Sequence, residues 1–218
     1  MVNDILNRVK ETDEGIWFNA GFLGRCLKYQ VIRALGVEVK KGGMETHFQR
    51  GHLFERRVEE ALAVSGGEWR LICGEVVLYN RELRLRDMSD GIIEIGGERY
   101  ILEVKSMGAD RFEWYRERGW REMWWAEQVV AHCLVSKGGV LLIVGGDGEV
   151  VGEIIKLDSS DELVIKVVNE LVELNKMIRD EEVELVFKDD KECSYCEFKN
   201  VCDKLKNIKE VREWREIV

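Results

Sequence analysis

Two carboxylates and a lysine stand at a spacing that suits hydrolytic chemistry: Asp90, then Glu103-Val104-Lys105. Residues 92–95 and 99–104 read as β-strands. Between them lies Gly96-Gly97, a pair that accepts the positive φ angles of a tight hairpin turn. Side chains alternate along a strand, so Glu103 and Lys105 share a face while Val104 turns into the core. The hairpin folds Asp90 back beside Glu103. Mg²⁺ and Mn²⁺ prefer carboxylate and carbonyl oxygens. Either ion would polarise a phosphoryl oxygen and lower the pKa of a bound water. Lys105 would orient that water or neutralise charge developing in the transition state. The grouping suits phosphodiester hydrolysis. A surface hairpin with solvated charges carries the same residue types, so the rest of the chain has to decide.

Two helical pairs add to it. In Arg50-Gly51-His52-Leu53-Phe54-Glu55, His52 and Glu55 are three apart and share a helix face. Gln128 and His132 are four apart, again on one face. The order G-x₃-E, S-D-G, E-V-K, Q-x₃-H resembles the RecB-type nucleases of the PD-(D/E)XK superfamily. Their usual pattern is G-x₃-H or G-x₃-E, an Asp, D/E-x-K and Q-x₃-Y. The resemblance covers about residues 26–202. It implies an α/β fold, a central mixed β-sheet flanked by helices, of the restriction-endonuclease-like kind. It also implies Mg²⁺ or Mn²⁺ held by Asp90, Glu103, the carbonyl of Val104 and a helical ligand, with Lys105 and Gln128 completing the catalytic set. Glu55 stands where many relatives carry the metal-binding histidine and is the preferred ligand, with His52 its rival or supporting partner. His132 stands where the family usually has tyrosine, which weakens any role carried over to it.

Six cysteines in a reducing compartment are metal ligands or buried apolar residues rather than disulfides. Cys193-x₂-Cys196-x₅-Cys202 forms a compact group, and Cys26 stands near the other end. Cys73, in a predicted strand, and Cys133, in a predicted helix, have apolar surroundings and are expected in the core. Four thiolates satisfy an iron–sulfur cluster or a structural zinc. A zinc ribbon pairs two C-x₂-C knuckles, and only one is present. An early cysteine with a late C-x₂-C-x₅-C resembles the iron–sulfur members of the RecB-like nucleases. These include helicase-associated enzymes and the fourth Cas family of CRISPR spacer acquisition. The resemblance implies a cluster, of the 4Fe–4S type ahead of zinc, on Cys26, Cys193, Cys196 and Cys202. Residues of about 19–36 and 188–205 would then form an iron–sulfur subregion joining the N-terminal helix to the C-terminal tail. Closing so long a loop removes unfolded-state entropy, so its role would be structural. The polar run Asp189-Asp190-Lys191-Glu192 would depend on it for order.

The elements that must position these groups follow from periodicity and punctuation. Helices are expected over 19–35 (Asn19 capping, Gly36 stopping), 48–64 before Gly66-Gly67, 111–135 with a break open at Gly119, and 161–179 capped by Ser159 or Ser160. Further strands are expected over 73–79, 83–85 and 140–144. Gly145-Gly146-Asp147-Gly148 would then turn the chain into a strand ending near Leu157. At 218 residues, with 45% apolar and 34% charged residues, residues 1–218 suit a single domain. No apolar run approaches the roughly 18–20 residues of a membrane span. Met1-Val2-Asn3-Asp4 opens no signal peptide. A cytoplasmic protein is the expectation.

A net charge of −9 argues against non-specific coating of nucleic acid, though not against basic groups gathered in one groove. Arg111, Arg116, Arg118 and Arg121 interleave with Trp114, Tyr115, Trp120, Trp124 and Trp125. The arginines could meet phosphates and a tryptophan could stack on a base. Alternatively the aromatics are core and the arginines pair with Glu113, Glu117 and Glu122. Lys28 and Arg33 are similarly open, and Lys40-Lys41 reads as a solvated turn. Together with the resemblance, the chain reads as a metal-dependent DNA exonuclease acting on single strands or free ends. Its setting would be CRISPR spacer acquisition beside integrase proteins, or viral or phage recombination beside recombination proteins. The alternative is a non-catalytic DNA-binding or assembly subunit that keeps the fold.

Overall fold

The computed structural model describes residues 17–34, 45–64, 68–136, 139–146, 149–180, 193, 196–199 and 202. In chain order its elements are β1 (Phe18–Asn19), α1 (Leu27–Ala34), α2 (Glu45–Val64), β2 (Trp69–Cys73), β3 (Val76–Asn80), β4 (Leu85–Ser89), β5 (Gly91–Ile95) and β6 (Glu98–Ser106). They continue with α3 (Ala109–Arg118), α4 (Ala126–Ser136), β7 (Val140–Gly146), β8 (Glu149–Ile155) and α5 (Glu162–Asp180). Gly36, Lys40-Lys41, Gly66-Gly67, Asp147-Gly148, the polar run 189–192 and Met1–Asp4 lie outside the described residues, as does most of 188–205.

The architecture is mixed α/β, with mixed sheets flanked by helices. A five-stranded sheet runs in the order β2-β5-β6-β7-β8, with β6 and β7 parallel and the other neighbours antiparallel. A parallel pair needs a long crossover, supplied here by α3 and α4. The apolar run Val140-Leu141-Leu142-Ile143-Val144 is buried throughout because both faces of β7 are covered. The expected single central sheet is corrected in one respect: β1, β4 and β3 form a separate three-stranded sheet. The chain changes sheets between Ser89, the end of β4, and Gly91, the start of β5.

Helix α2 covers one face of the larger sheet, where Val58 and Leu62 pack with Ile93, Leu102, Val104, Leu141 and Ile143. Helices α1, α3, α4 and α5 share the main core on the other face. The 92–104 hairpin forms as expected, turning on Gly96 (φ +57°) and Gly97 (φ +85°).

Several local expectations are corrected. The predicted helix 19–35 is broken. Asn19 caps a 3-10 turn over Ala20–Phe22, its side chain accepting from the Gly21 N–H at 2.8 Å, and α1 starts only at Leu27. The predicted strand 73–79 divides at Gly74-Glu75, and the 83–85 strand lies instead at Leu85–Ser89. The long helix 111–135 does break at Gly119, whose φ of +79° turns the chain before a short 3-10 turn and α4. Asp161 caps α5 in place of Ser159 or Ser160, accepting from the Leu163 N–H at 2.9 Å. Cys133, expected in the core, is half-buried and packs against it, and burial pushes its thiol up to about 12. Cys73 is exposed rather than core, because it ends the edge strand β2 at a bulge.

Gly145 and Gly146, expected in a turn, are the last residues of β7. Their missing side chains matter. A Cβ on Gly145 would lie 2.0 Å from the Phe54 ring, and one on Gly146 would lie 2.4 Å from Phe112. Phe54 belongs to α2 and Phe112 to α3, so two helices seat on the end of one strand. Among the described residues no helix is long and apolar enough to cross a membrane.

Candidate active site

The candidate residues gather where the chain passes from β4 of the smaller sheet into β5, beside the end of β6. The Asp90 N–H donates to the Leu102 carbonyl at 3.1 Å, and its Oδ2 accepts from the Val104 N–H at 2.6 Å. The hairpin thereby locks Asp90 against Glu103. Gly91 beside it is tightly confined, since a Cβ there would meet the Cys73 carbonyl at 2.7 Å. Ile101, on the same strand face as Glu103 and Lys105, joins the main core, while Leu102 and Val104 join the α2 side. Glu103 is 5% exposed. The Lys105 ammonium is ion-paired to Glu103 Oε1 and donates to Gln128 Oε1 at 3.4 Å. Gln128, on the first turn of α4, donates in turn to the Gly21 carbonyl at 2.8 Å, tying the N-terminal turn to the site.

Two further residues complete the group. His132 Nε2 lies 3.1 Å from Glu103 Oε2, and its Nδ1 lies 2.8 Å from Asp87 Oδ1. All three side chains are almost wholly buried. The Asp87 contact is an ion pair rather than a straight hydrogen bond. Sequence reasoning left His132 without a role and passed over Asp87. The signal for Asp87 was a charged residue at an inward position of a strand: it alternates with Leu85 and Ser89, both buried.

Charge decides the electrostatics. Burial lowers the His132 pKa, but Glu103 and Asp87 outweigh it and raise the ring to about 10. Burial pushes Glu103 up, yet His132 and Lys105 prevail and hold it at about 2. Lys105 is raised despite its burial, by Glu103 first and then by Asp90 and Glu55. Asp90 goes the other way. Burial and the Glu103 charge raise it to about 8, with Glu55 adding to the repulsion. Within this group Lys105 and His132 offset Glu103 and Asp87, which leaves Asp90 and Glu55 as the surplus carboxylates.

Glu55 reaches this field from α2, positioned by its neighbour Phe54 on Gly145. His52 lies outside it, with a side chain 71% exposed and Nδ1 2.9 Å from Glu55 Oε2. No three His, Cys, Asp or Glu side chains among the described residues converge in ligating geometry. The donor set still fits a hard divalent cation. Its oxygens are carboxylates, and two of those carboxylates have no full counter-charge.

Cys26, Cys196 and Cys202 pack against the main core. Burial raises the Cys202 thiol to about 11, Lys28 partly offsets this, and Cys26, Cys196 and Cys193 raise it further. The four thiols share one neighbourhood. The segment is also held by Phe198, fully buried, and by Glu197, which accepts from Arg33 at 2.5 Å and from the Tyr29 hydroxyl at 3.0 Å. Arg33 is thus paired and Lys28 is 4% exposed, so neither presents a free cation to a polyanion. Tyr115, Trp120 and Trp125 are core residues, whereas Trp114 and Trp124 are exposed. Arg116 pairs with Glu113 as expected, and also with Glu149; Arg121 pairs with Asp161.

No family model matches the sequence, and no curated protein matches it. Solved structures do. The crystal structure of SSO0001 is similar at 15% identity and a TM-score of 0.50, covering 93% of this chain and 92% of that one. An alkaline exonuclease from Laribacter hongkongensis is similar at 14% identity and a TM-score of 0.53, covering 88% of this chain and 95% of that one. The same exonuclease in complex with dAMP gives 15% identity and a TM-score of 0.52, covering 94% and 91%. At this identity the likeness establishes architecture, and the chain shares the fold of an alkaline exonuclease along nearly its whole length.

Proposed function

We propose that this protein is a Mg²⁺- or Mn²⁺-dependent DNA nuclease, an exonuclease acting on single strands or free ends. The observation that carries the reading is the meeting of Asp90, Glu103, Lys105 and Gln128 at one sheet end, with Asp90 held short of a full counter-charge. Asp90, Glu103, Glu55 and the Val104 carbonyl would hold the cation, with His52 supporting Glu55. The cation supplies polarisation of the scissile phosphoryl group and a lowered pKa for the attacking water. The residues do the rest. Asp87 and His132 hold the Glu103 carboxylate in one orientation. Lys105, fixed between Glu103 and Gln128, presents a buried positive charge where charge accumulates on the phosphoryl oxygens. Gln128 anchors that lysine to the backbone at Gly21.

The second proposed element is an iron–sulfur cluster on Cys26, Cys193, Cys196 and Cys202, ahead of zinc at the same four thiols. The support is chemical: four thiols in one neighbourhood, more than any other use of them in the chain requires. The cluster would fasten a subregion of one domain spanning residues 1–218. Two biological settings fit, CRISPR spacer acquisition and viral or phage recombination. Adjacent integrase genes would select the first.

The decisive experiment is cleavage of end-labelled single-stranded and duplex DNA with Mg²⁺ or Mn²⁺, with and without EDTA. Wild type should cut and EDTA should stop it. Asp90→Ala, Glu103→Ala and Lys105→Ala should each lose at least about a hundredfold in rate with an unchanged circular dichroism spectrum. Glu55→Ala should lose more than His52→Ala, and the reverse order would make His52 the ligand. Full activity in Glu103→Ala, or a folded wild type that binds DNA and never cuts it, would leave a non-catalytic subunit as the better reading.

A further inference from the structure

Of the six aromatic residues between Arg111 and Trp125, four (Phe112, Tyr115, Trp120 and Trp125) are core and two face water. Trp124 is 62% exposed and Trp114 is 42% exposed, against 9% for Trp120 and 2% for Trp125. The Trp124 indole, just before α4, meets the core only edge-on, its ring centroid 6.4 Å from that of Trp125. The arginines divide the same way. Arg116 sits between Glu113 and Glu149, and Arg121 grips Asp161 through two nitrogens. Arg111 and Arg118 make no ion pair among the described residues. The Arg111 guanidinium instead lies over the Trp124 ring, 4.7 Å from its centroid.

The pair lies at the end of the molecule that carries the site. Arg111 is on the first turn of α3, and α3 follows directly from β6, which ends just beyond Lys105. Five residues lie between Lys105 and Arg111, a span of at most about 20 Å even if fully extended. Trp124 immediately precedes Trp125, whose carbonyl accepts from the Gln128 N–H at 3.0 Å as α4 begins. Gln128 is the residue that holds Lys105. Both α3 and α4 lie on the sheet face toward which Glu103 and Lys105 point.

We infer that Trp124 and Arg111 form a stacking platform for an unpaired base of single-stranded DNA, on the strand's way to the Asp90–Glu103–Lys105 site. The inference rests on the nuclease reading and specifies its substrate as a strand with unstacked bases. Indole and guanidinium both offer flat, polarisable faces to any base, which suits a sequence-tolerant enzyme. Arg111 can turn from the ring to a phosphate when a base arrives. Asp110 and Glu113 stand beside it in sequence. Phosphate attraction there is therefore weak, and stacking is expected to carry the affinity. Duplex DNA, whose bases are already stacked, gains nothing from the platform.

The test is fluorescence anisotropy of the full-length protein with a labelled twelve-nucleotide oligothymidylate, in EDTA so that nothing is cut, beside a blunt duplex of the same length. Trp124→Ala should weaken single-strand binding about tenfold, the scale of one lost stack. Trp124→Phe should keep most of the affinity, Arg111→Ala should weaken it less, and duplex binding should stay as in wild type. Circular dichroism should be unchanged, since the indole is not in the core. Single-strand affinity unaltered in Trp124→Ala would overturn the platform, as would equal losses on strand and duplex. So would a loss in Trp114→Ala larger than in Trp124→Ala. Cleavage assays on the same preparations separate the two claims. A protein that cuts DNA with no Trp124 effect loses the platform and keeps the nuclease, and one that binds through Trp124 without cutting does the reverse.

Discussion

Asp90 is the residue on which stability and function pull apart. Its folded pKa of about 8 lies above the ordinary carboxylate value, from burial and from Glu103. Its raised pKa means that Asp90's own contribution to the metal-free fold is most favourable below the unfolded value near 4 and turns against the fold as pH climbs toward 8. Asp90→Asn removes that penalty. The variant should melt higher than wild type at pH 7–8 without divalent ions, by roughly 2–4 °C per kcal/mol relieved, while being inactive. Mn²⁺ should raise the melting temperature of wild type and leave the variant where it is. A lower melting point for the variant at pH 8 would mean that the Asp90 charge is already compensated. His132 has the opposite sense. Its raised pKa of about 10 makes its contribution whole below the unfolded value near 6.5, and lost as pH rises toward 10. His132→Phe strands the buried Asp87 without its cation and leaves Glu103 with Lys105 alone, and should cost about 3–5 kcal/mol in urea unfolding at pH 6. That gap should narrow by pH 10; a constant gap would make the imidazole a space-filler.

At the scale of elements, the site depends on helices seated against one strand end. The Phe54 ring occupies the space a side chain at Gly145 would need, and Glu55 follows it on α2. Gly145→Ala drives a methyl group into an aromatic ring. It should destabilise by about 1–3 kcal/mol and displace Glu55 from the field around Asp90, so that activity falls while Asp90, Glu103 and Lys105 are untouched. Phe54→Leu combined with Gly145→Ala should recover part of the lost melting temperature. If Gly145→Ala keeps full stability, α2 is not seated through this contact.

At the scale of the whole molecule, the cysteine neighbourhood joins chain segments more than 160 residues apart, Cys26 to Cys193. Purified without oxygen, the protein should be brown and hold about four irons per chain. Cys26→Ser, Cys193→Ser, Cys196→Ser and Cys202→Ser should each bleach it and lower its melting temperature. Cys73→Ser, at an exposed strand end, should change neither colour nor stability. Cys133→Ser should keep the colour and cost some packing. One zinc in a colourless protein would retain the four-cysteine site and replace the cluster.

How much of this was legible in the sequence follows from the range of the interactions involved. The Gly96-Gly97 hairpin, the α2 helix, the break at Gly119 and the closeness of Asp90 to Glu103 and Lys105 are set by periodicity, turn chemistry and pairing within some fifteen residues. Those were readable. Which glycines are turns and which are seats was not, because Gly145 and Gly146 owe their identity to Phe54 and Phe112 on distant helices. The second sheet was hidden for the same reason, since β1 pairs with β4 across 66 residues, Phe18 with Leu85. Cys73 reads as apolar among apolar neighbours, and only the sheet order makes β2 an edge. The Asp87–His132–Glu103 chain joins three elements, so composition could supply its members but not their meeting. Local sequence determined the hairpin and its charges; the tertiary structure decided which charges are offset and which carboxylates are left over.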